Sequence, residues 1–233
     1  MKRFTCLFLC LVLILSLGTS ALAARKISGD YEYEVYGNEP TLYYYHGNFE
    51  KEAKIPAKLG GKPVTEIAWG AFGALWMLES VIIPDSVVTI SDEAFLNCTG
   101  LTDAYIGKNA RYINGNPFDG CTNLYVIRLS EKNQYLELNG PALYTKEPYT
   151  LISYPAQCMG TTYVIPEGVT GIGDSAFSDA ARLKVVVIPS TVTNIHRTAF
   201  NNGYGGKMNL TLDVSNNPYA KQYAIDNGLK YID

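Results

Sequence analysis

The side chains from which this chain could build catalysis are few: two histidines, five cysteines and scattered serines and carboxylates in 233 residues. Gly173-Asp174-Ser175 has the outward form of a nucleophile turn, but a serine nucleophile needs an imidazole to take its proton. The imidazoles available are His46 and His196, far apart in the chain. The register of the triplet also argues against chemistry. Asp174-Ser175-Ala176-Phe177 aligns with Asp92-Glu93-Ala94-Phe95 and with Arg197-Thr198-Ala199-Phe200, so Ser175 is one rung of a repeated turn. No catalytic residue is expected, both histidines read as exposed loop residues, and the chain reads as a protein without enzymatic activity.

Cysteine usage leads to the same place. Two of the five cysteines fall in an N-terminal leader, leaving Cys98, Cys121 and Cys158, too few for a disulfide scaffold. Cys98 and Cys121 are 23 residues apart and share a frame position later filled by Ala180. The spacing allows a disulfide between adjacent rungs, but buried free thiols suit a position that takes small apolar side chains. Metal-ligand spacings such as Cys-x-x-Cys do not occur. Asp92, Glu93 and Asp174 lie in separate turns, without the dense Gly-Asp pattern of calcium-binding β-rolls. Neither a metal nor a cofactor is expected.

What must position any functional surface is a repeat. Phe72, Phe95 and Phe118 are 23 residues apart, as are Phe177 and Phe200. An isoleucine stands five residues before each (Ile67, Ile90, Ile113, Ile172, Ile195), and leucine follows six residues after four of them (Leu78, Leu101, Leu124, Leu183). Short β-rich runs such as Val81-Ile82-Ile83-Pro84 and Val186-Val187-Ile188-Pro189 complete the unit. A unit this small cannot bury its apolar residues alone, so units must stack and align Ile, Phe and Leu in ladders. The fold expected is a leucine-rich-repeat solenoid, β-rich with short turns or 3₁₀ segments. Its ends need covers: Tyr31 to Tyr45 reads as a β-hairpin turning at Gly37-Asn38, and Pro218 to Ile225 as a helix stopped by Asn227-Gly228, with Tyr219, Tyr223 and Ile225 against the last rung.

The expected organisation is a signal peptide over 1–23, an N-terminal β cap over 24–54, repeats over 55–129, an irregular insert over 130–160, repeats over 161–205 and a C-terminal cap over 206–233. Lys2 and Arg3, the apolar run from Phe4 to Leu17 and Ala21-Leu22-Ala23 make the three parts of the leader, and the run is too short for a comfortable membrane span. A secreted chain is expected, without a transmembrane anchor, held at a surface by non-covalent contacts if at all. Removing 1–23 takes two basic residues and no acidic one, leaving seventeen Lys and Arg against twenty-two Asp and Glu, a formal charge of −5. That charge argues against a nucleic-acid partner.

The units Ile83-Pro84-Asp85-Ser86-Val87-Val88-Thr89-Ile90 through Leu101, and Ile165-Pro166-Glu167-Gly168-Val169-Thr170-Gly171-Ile172 through Phe177, resemble the leucine-rich repeats of BspA-type bacterial surface proteins. The resemblance covers about residues 31 to 233, including an insert at Asn139 to Tyr144 and Leu151 to Pro155 and a tyrosine-rich ending. It implies a curved solenoid at or near a bacterial surface, often that of a gut or oral commensal, adhering to host matrix proteins or to other cells.

If the strands line an open face, the residues between ladder positions form three rows: Glu79, Thr102, Tyr125, Lys184; Ser80, Asp103, Val126, Val185; and Ile82, Tyr105, Arg128, Val187. Tyr and Arg are favoured at binding hot spots, so Tyr105, Tyr125 and Arg128, with Asp103, are the candidate contact patch. The competing reading is ordinary cross-strand pairing on a solvated sheet. The expected function is protein binding or adhesion toward host or cell-surface proteins. The alternative is a carbohydrate-binding or structural component of the envelope, with tyrosines stacking on sugar rings.

Overall fold

Residues 25–47, 49–203 and 205–233 are described by the computed structural model; the leader over 1–23 lies outside the described residues. The chain opens with β1 (Lys26–Ser28), β2 (Tyr31–Tyr36), β3 (Glu39–Tyr45), β4 (Glu52–Lys54), the small hairpin β5 (Lys58–Leu59) and β6 (Lys62–Pro63), and β7 (Glu66–Ile67). The next rungs supply β8 (Ser80–Ile83), β9 (Thr89–Ile90), β10 (Asp103–Ile106), β11 (Tyr112–Ile113) and β12 (Val126–Leu129). Then come β13 (Leu136–Asn139), β14 (Ala142–Lys146), β15 (Tyr149–Ser153), β16 (Thr162–Val164), β17 (Gly171–Ile172), β18 (Val185–Val187), β19 (Asn194–Ile195) and β20 (Thr211–Asp213). The helix α1 (Pro218–Asp226) and β21 (Lys230–Ile232) close the chain.

A rung gives one short strand to each of two parallel sheets. In the first half these are β4, β8, β10 and β12 on one side and β3, β7, β9 and β11 on the other. The phenylalanine frame follows from the turns between them. Tight reversals take left-handed backbone two residues before three of the five rings, at Gly70, Glu93 and Ser175, and two residues after four of them, at Ala74, Asn97, Gly120 and Asp179. Glycine, Asn and Asp tolerate that conformation best. Where a phenylalanine rung follows, the ring residue's N–H donates to the carbonyl just before the next ring: Phe72 to Ala94 O, Phe95 to Pro117 O, Phe177 to Ala199 O. Phe118, at the end of its series, donates to Asn116 Oδ1 instead. All five phenylalanines are buried.

Their rings form two ladders. Tyr45, Phe72, Phe95 and Phe118 stack with centroids 5.0, 4.9 and 5.5 Å apart. Tyr154, Phe177, Phe200 and Tyr223 follow at 5.6, 5.0 and 6.2 Å. The break falls at the stretch expected to be irregular, which is instead an ordered antiparallel meander of β13, β14 and β15. Its alternating side chains serve two cores. Leu136, Leu143 and Ile152 join the first, while Ala142, Tyr144, Leu151 and Tyr154 join the second.

The meander therefore repeats the opening of the chain. The hairpin β2–β3 leads into the parallel series β7, β9 and β11, and the hairpin β14–β15 leads into β17 and β19. Tyr45 and Tyr154 hold the ring position in both, each N–H donating to the carbonyl before the first phenylalanine of its block, Ala71 O and Ala176 O. Along the turn edge the blocks still touch: Asn116 Nδ2 donates to Ser175 O at 2.8 Å, and Ser178 Oγ donates to Asp119.

The C-terminal helix forms where expected, with Asn217 as its N-cap and Pro218 at its first turn. Ala220, Tyr223 and Ala224 are its buried residues. Ile225, expected to cover the last rung, is 49% exposed, because the helix turns its Ala–Tyr–Ala stripe inward. Tyr219 is half exposed, though its hydroxyl accepts from Ile195 N–H at 3.1 Å.

Candidate functional site

The strand-face rows exist through the first block. In parallel register, Ser80 faces Asp103 and Asp103 faces Val126, while Ile82 faces Tyr105 and Tyr105 faces Arg128. Val81, Ala104 and Ile127 between them point into the core, so strand alternation turns the others outward. The remaining row, Glu79, Thr102 and Tyr125, is held by backbone bonds from Tyr125 N–H to Thr102 O and from Thr102 N–H to Glu79 O.

Asp103 and Arg128 come together as a bidentate pair, with Nε to Oδ1 at 2.9 Å and a terminal guanidinium nitrogen to Oδ2 at 2.7 Å. The pair runs diagonally across β10 and β12. Exposed pairs of this kind contribute about 0–1 kcal/mol to stability, and the fork fixes the guanidinium plane beside Tyr105. Tyr125 is 56% exposed and lines a cleft of about 360 Å³ with Tyr154, Cys158, Met159 and Tyr163. Three of the four predicted residues thus share one face, and Tyr125 joins that face to the seam between the blocks.

The rows do not run on to Lys184, Val185 and Val187. β18 lies in a separate sheet ordered β16, β18, β20, β21, whose edge strand β16 is not hydrogen-bonded to β12, itself the edge of its own sheet. The meander and the following segment intervene, with Gln157 N–H bonded to Leu124 O.

Ser175 Oγ donates to Asp174 Oδ1 at 3.2 Å, and His196 Nδ1 lies 3.2 Å from the same oxygen. The carboxylate stands between hydroxyl and imidazole, whereas a nucleophile–base pair needs the imidazole in the middle. Both histidines are exposed. Cys98 and Cys121 are free and buried, their thiols donating to Phe72 O and Phe95 O of the preceding rungs, and burial raises the Cys121 pKa. Among the described residues no group of three His, Cys, Asp or Glu is placed to hold a metal, and no helix is long and apolar enough to cross a membrane.

Buried hydroxyls cluster behind the seam. Tyr144 OH lies 2.6 Å from Tyr163 OH, which donates to Asn139 O. Burial pushes Tyr163 up to about 12 and Tyr144 further still.

Carboxylates crowd where the turn edges of the blocks meet. Asp92 is raised to about 6, first by burial and then by Asp174, Glu93 and Asp119. A carboxyl that holds its proton more tightly when folded makes stability fall as pH rises from about 3.8 to about 6. Asp92→Asn is therefore expected to raise Tm at neutral pH, with the gain shrinking to nothing below the unfolded value. Thermal melts of both proteins across pH 3 to 8 (about one-unit steps) check this; equal gains at every pH would contradict it.

Among the exposed aromatics that the sequence did not single out are Tyr44, Phe49, Trp69 and Trp76, three of which line a cleft of about 350 Å³. Trp69 Nε1 donates to Glu93 Oε2 at 2.9 Å. The frame itself could have found the tryptophans. Trp69 occupies the place of Asp92, Gly115, Asp174 and Arg197, and Trp76 that of Thr99, Thr122 and Ala181, positions a repeat leaves at the surface.

The geometry defines a class, a leucine-rich-repeat solenoid in two capped blocks. The model of the BspA type leucine rich repeat region matches six copies over residues 43–140 and 154–225, and the chain belongs to that family. No curated protein matches it by sequence. Among solved structures it is similar to the T. pallidum leucine rich repeat protein, at 20% identity over 90% of this chain and 98% of that one, with a TM-score of 0.53. A leucine rich cell surface protein from Faecalibacterium prausnitzii A2-165 matches at 21% identity over 74% and 72% of the two chains, TM-score 0.37. A leucine-rich repeat protein from Eubacterium ventriosum ATCC 27560 matches at 19% over 81% and 65%, TM-score 0.46.

Proposed function

We propose that the chain is a secreted adhesion module that binds host or cell-surface proteins through the outer face of β8, β10 and β12. The observation that carries the reading is the placement of Tyr105 and the forked Arg128–Asp103 pair on one rigid sheet, with exposed Tyr125 at its border. Aromatic and Arg side chains fixed by a scaffold lose little entropy on binding, which is what makes hot spots. The leader over 1–23 supports export, and the family supports a surface setting.

The test is a binding assay against immobilised matrix proteins and against purified bacterial cell wall, with the parent and a Tyr105→Ala, Tyr125→Ala, Arg128→Ala triple variant whose Tm and circular dichroism match. Protein capture is expected to weaken at least about tenfold in the variant. Undiminished capture by the folded variant would sink the strand-face assignment. The exposed Trp69, Trp76 and Phe49 favour a second reading, a carbohydrate-binding or structural envelope component. Retention on cell wall that Trp76→Ala abolishes, without protein capture, would select it.

A further inference from the structure

A second cleft opens on the other side of the seam, where β11 ends the first block's sheet and β13–β14 begins the next. Its volume is about 400 Å³ and its lining is Arg111, Tyr112, Gln134, Tyr135, Lys146 and Glu147. That size lies in the small-molecule range. We infer that it binds a saccharide bearing a single carboxylate on its ring, such as a uronic or sialic acid unit.

The cationic centre is held in place. The Arg111 guanidinium lies 4.7 Å from the Tyr112 ring centroid and 5.7 Å from that of Tyr135, a cation–π sandwich that orients it without neutralising it. Among the described residues no carboxylate makes an ion pair with Arg111 or Lys146. Both tyrosines are exposed, at 54% and 42%, leaving ring surface for a sugar face.

The walls are tied by one buried side chain. Asn133 Nδ2 donates to Ala110 O at 2.9 Å, next to Arg111, and its Oδ1 accepts from Tyr135 N–H at 2.9 Å. Lys146 N–H in turn donates to Tyr135 O at 2.9 Å. Arg111, Tyr135 and Lys146 are thus set by backbone bonds that meet at Asn133, and a site preset in this way need not order itself on binding.

Ligand class follows from the balance of groups. Two cations and one carboxylate leave a single positive charge, which matches one acid group and not a polyanion, and the chain as a whole is net negative. An acidic peptide would bring several carboxylates against Glu147, more than that balance of charge holds. A sugar instead needs acceptors for its hydroxyl protons, which Glu147 and the Gln134 amide supply, beside donors for its carboxylate, which Arg111 and Lys146 supply. The inference uses other residues on another sheet than the strand-face reading, so each stands or falls alone.

The test titrates the protein with methyl galacturonide, 3′-sialyllactose, neutral galactobiose and tetraglutamate, followed by saturation-transfer NMR and calorimetry. At least one of the two acidic sugars is expected to saturate, and which one identifies the source. Arg111→Gln and Tyr135→Ala, both at exposed side chains, should each weaken it by roughly tenfold or more with Tm unchanged. Galactobiose binding as tightly as the acidic sugars, tetraglutamate binding best, or an affinity indifferent to both substitutions would overturn the assignment. So would saturation by neither acidic sugar.

Discussion

Replacing Phe95 by alanine is expected to lower stability by about 3–5 kcal/mol, the cost of removing a buried ring and leaving its cavity. Phe95 is fully buried and stacked on both sides, 4.9 Å from Phe72 and 5.5 Å from Phe118, so its neighbours cannot close the gap without parting from their own rungs. The measurement is the urea midpoint, read by circular dichroism for the whole chain and by fluorescence of Trp69 and Trp76 for the first block alone. Repeat stability is a sum of units and nearest-neighbour contacts, and the apolar core is divided by the meander. The tryptophan signal should therefore move to lower urea by more than the tail of the circular dichroism curve. A loss below about 1 kcal/mol would mean that the rings do not carry the stack.

The phenylalanine ladder was legible because one residue type recurs at one interval and the interior admits little else at that place. Both end elements were legible for a related reason, since alternation over Tyr31 to Tyr36 and the helical spacing before Asn227-Gly228 are local patterns. The buried face of the helix was not, because its small Ala220 and Ala224 read weaker than Tyr219 and Ile225. Nor was the meander. A segment pressed between two cores buries both faces, so Ala142, Leu143 and Tyr144 read as a plain apolar run, and Tyr154 stands where a phenylalanine would have announced the frame.

The same gap explains how the candidate patch fared. Rows drawn by counting in steps of 23 hold from Glu79 to Arg128, since the register is set by stacked backbone bonds. They fail at Lys184 because the meander intervenes and β18 belongs to a separate sheet that begins at β16, and counting cannot show which sheet a strand joins. The diagonal Asp103–Arg128 fork follows from neighbouring strands once register is known. The cleft built on Arg111 was invisible, since Arg111 and Tyr135 lie more than twenty residues apart and are brought together by the bonds that Asn133 makes.

That asparagine has a counterpart, and together they carry the second large prediction. Asn217 is 2% exposed. Its Nδ2 donates to Pro189 O at 2.6 Å and Val192 O at 2.9 Å, and its Oδ1 accepts from Ala220 N–H at 2.8 Å. Asn133 repeats the arrangement at the end of the first block, donating to Gly107 O and Ala110 O and accepting from Tyr135 and Leu136 N–H. Each block therefore ends in a buried amide that satisfies two carbonyls of the preceding rung while starting the next element. Asn217→Ala strands Val192 O, leaves Pro189 O with the longer bond from Val192 N–H at 3.2 Å, and removes a helix cap, for an expected loss of about 2–4 kcal/mol. Asn217→Asp separates the two halves of the role, because a carboxylate can still accept from Ala220 N–H but cannot donate, and it would face two carbonyl oxygens. It should be at least as destabilising as alanine at neutral pH and recover in part once acid restores a proton to share. Urea midpoints for both variants at pH 7 and near pH 4 decide the matter; an aspartate that matches the parent at neutral pH would show that the donated bonds to Pro189 and Val192 contribute nothing.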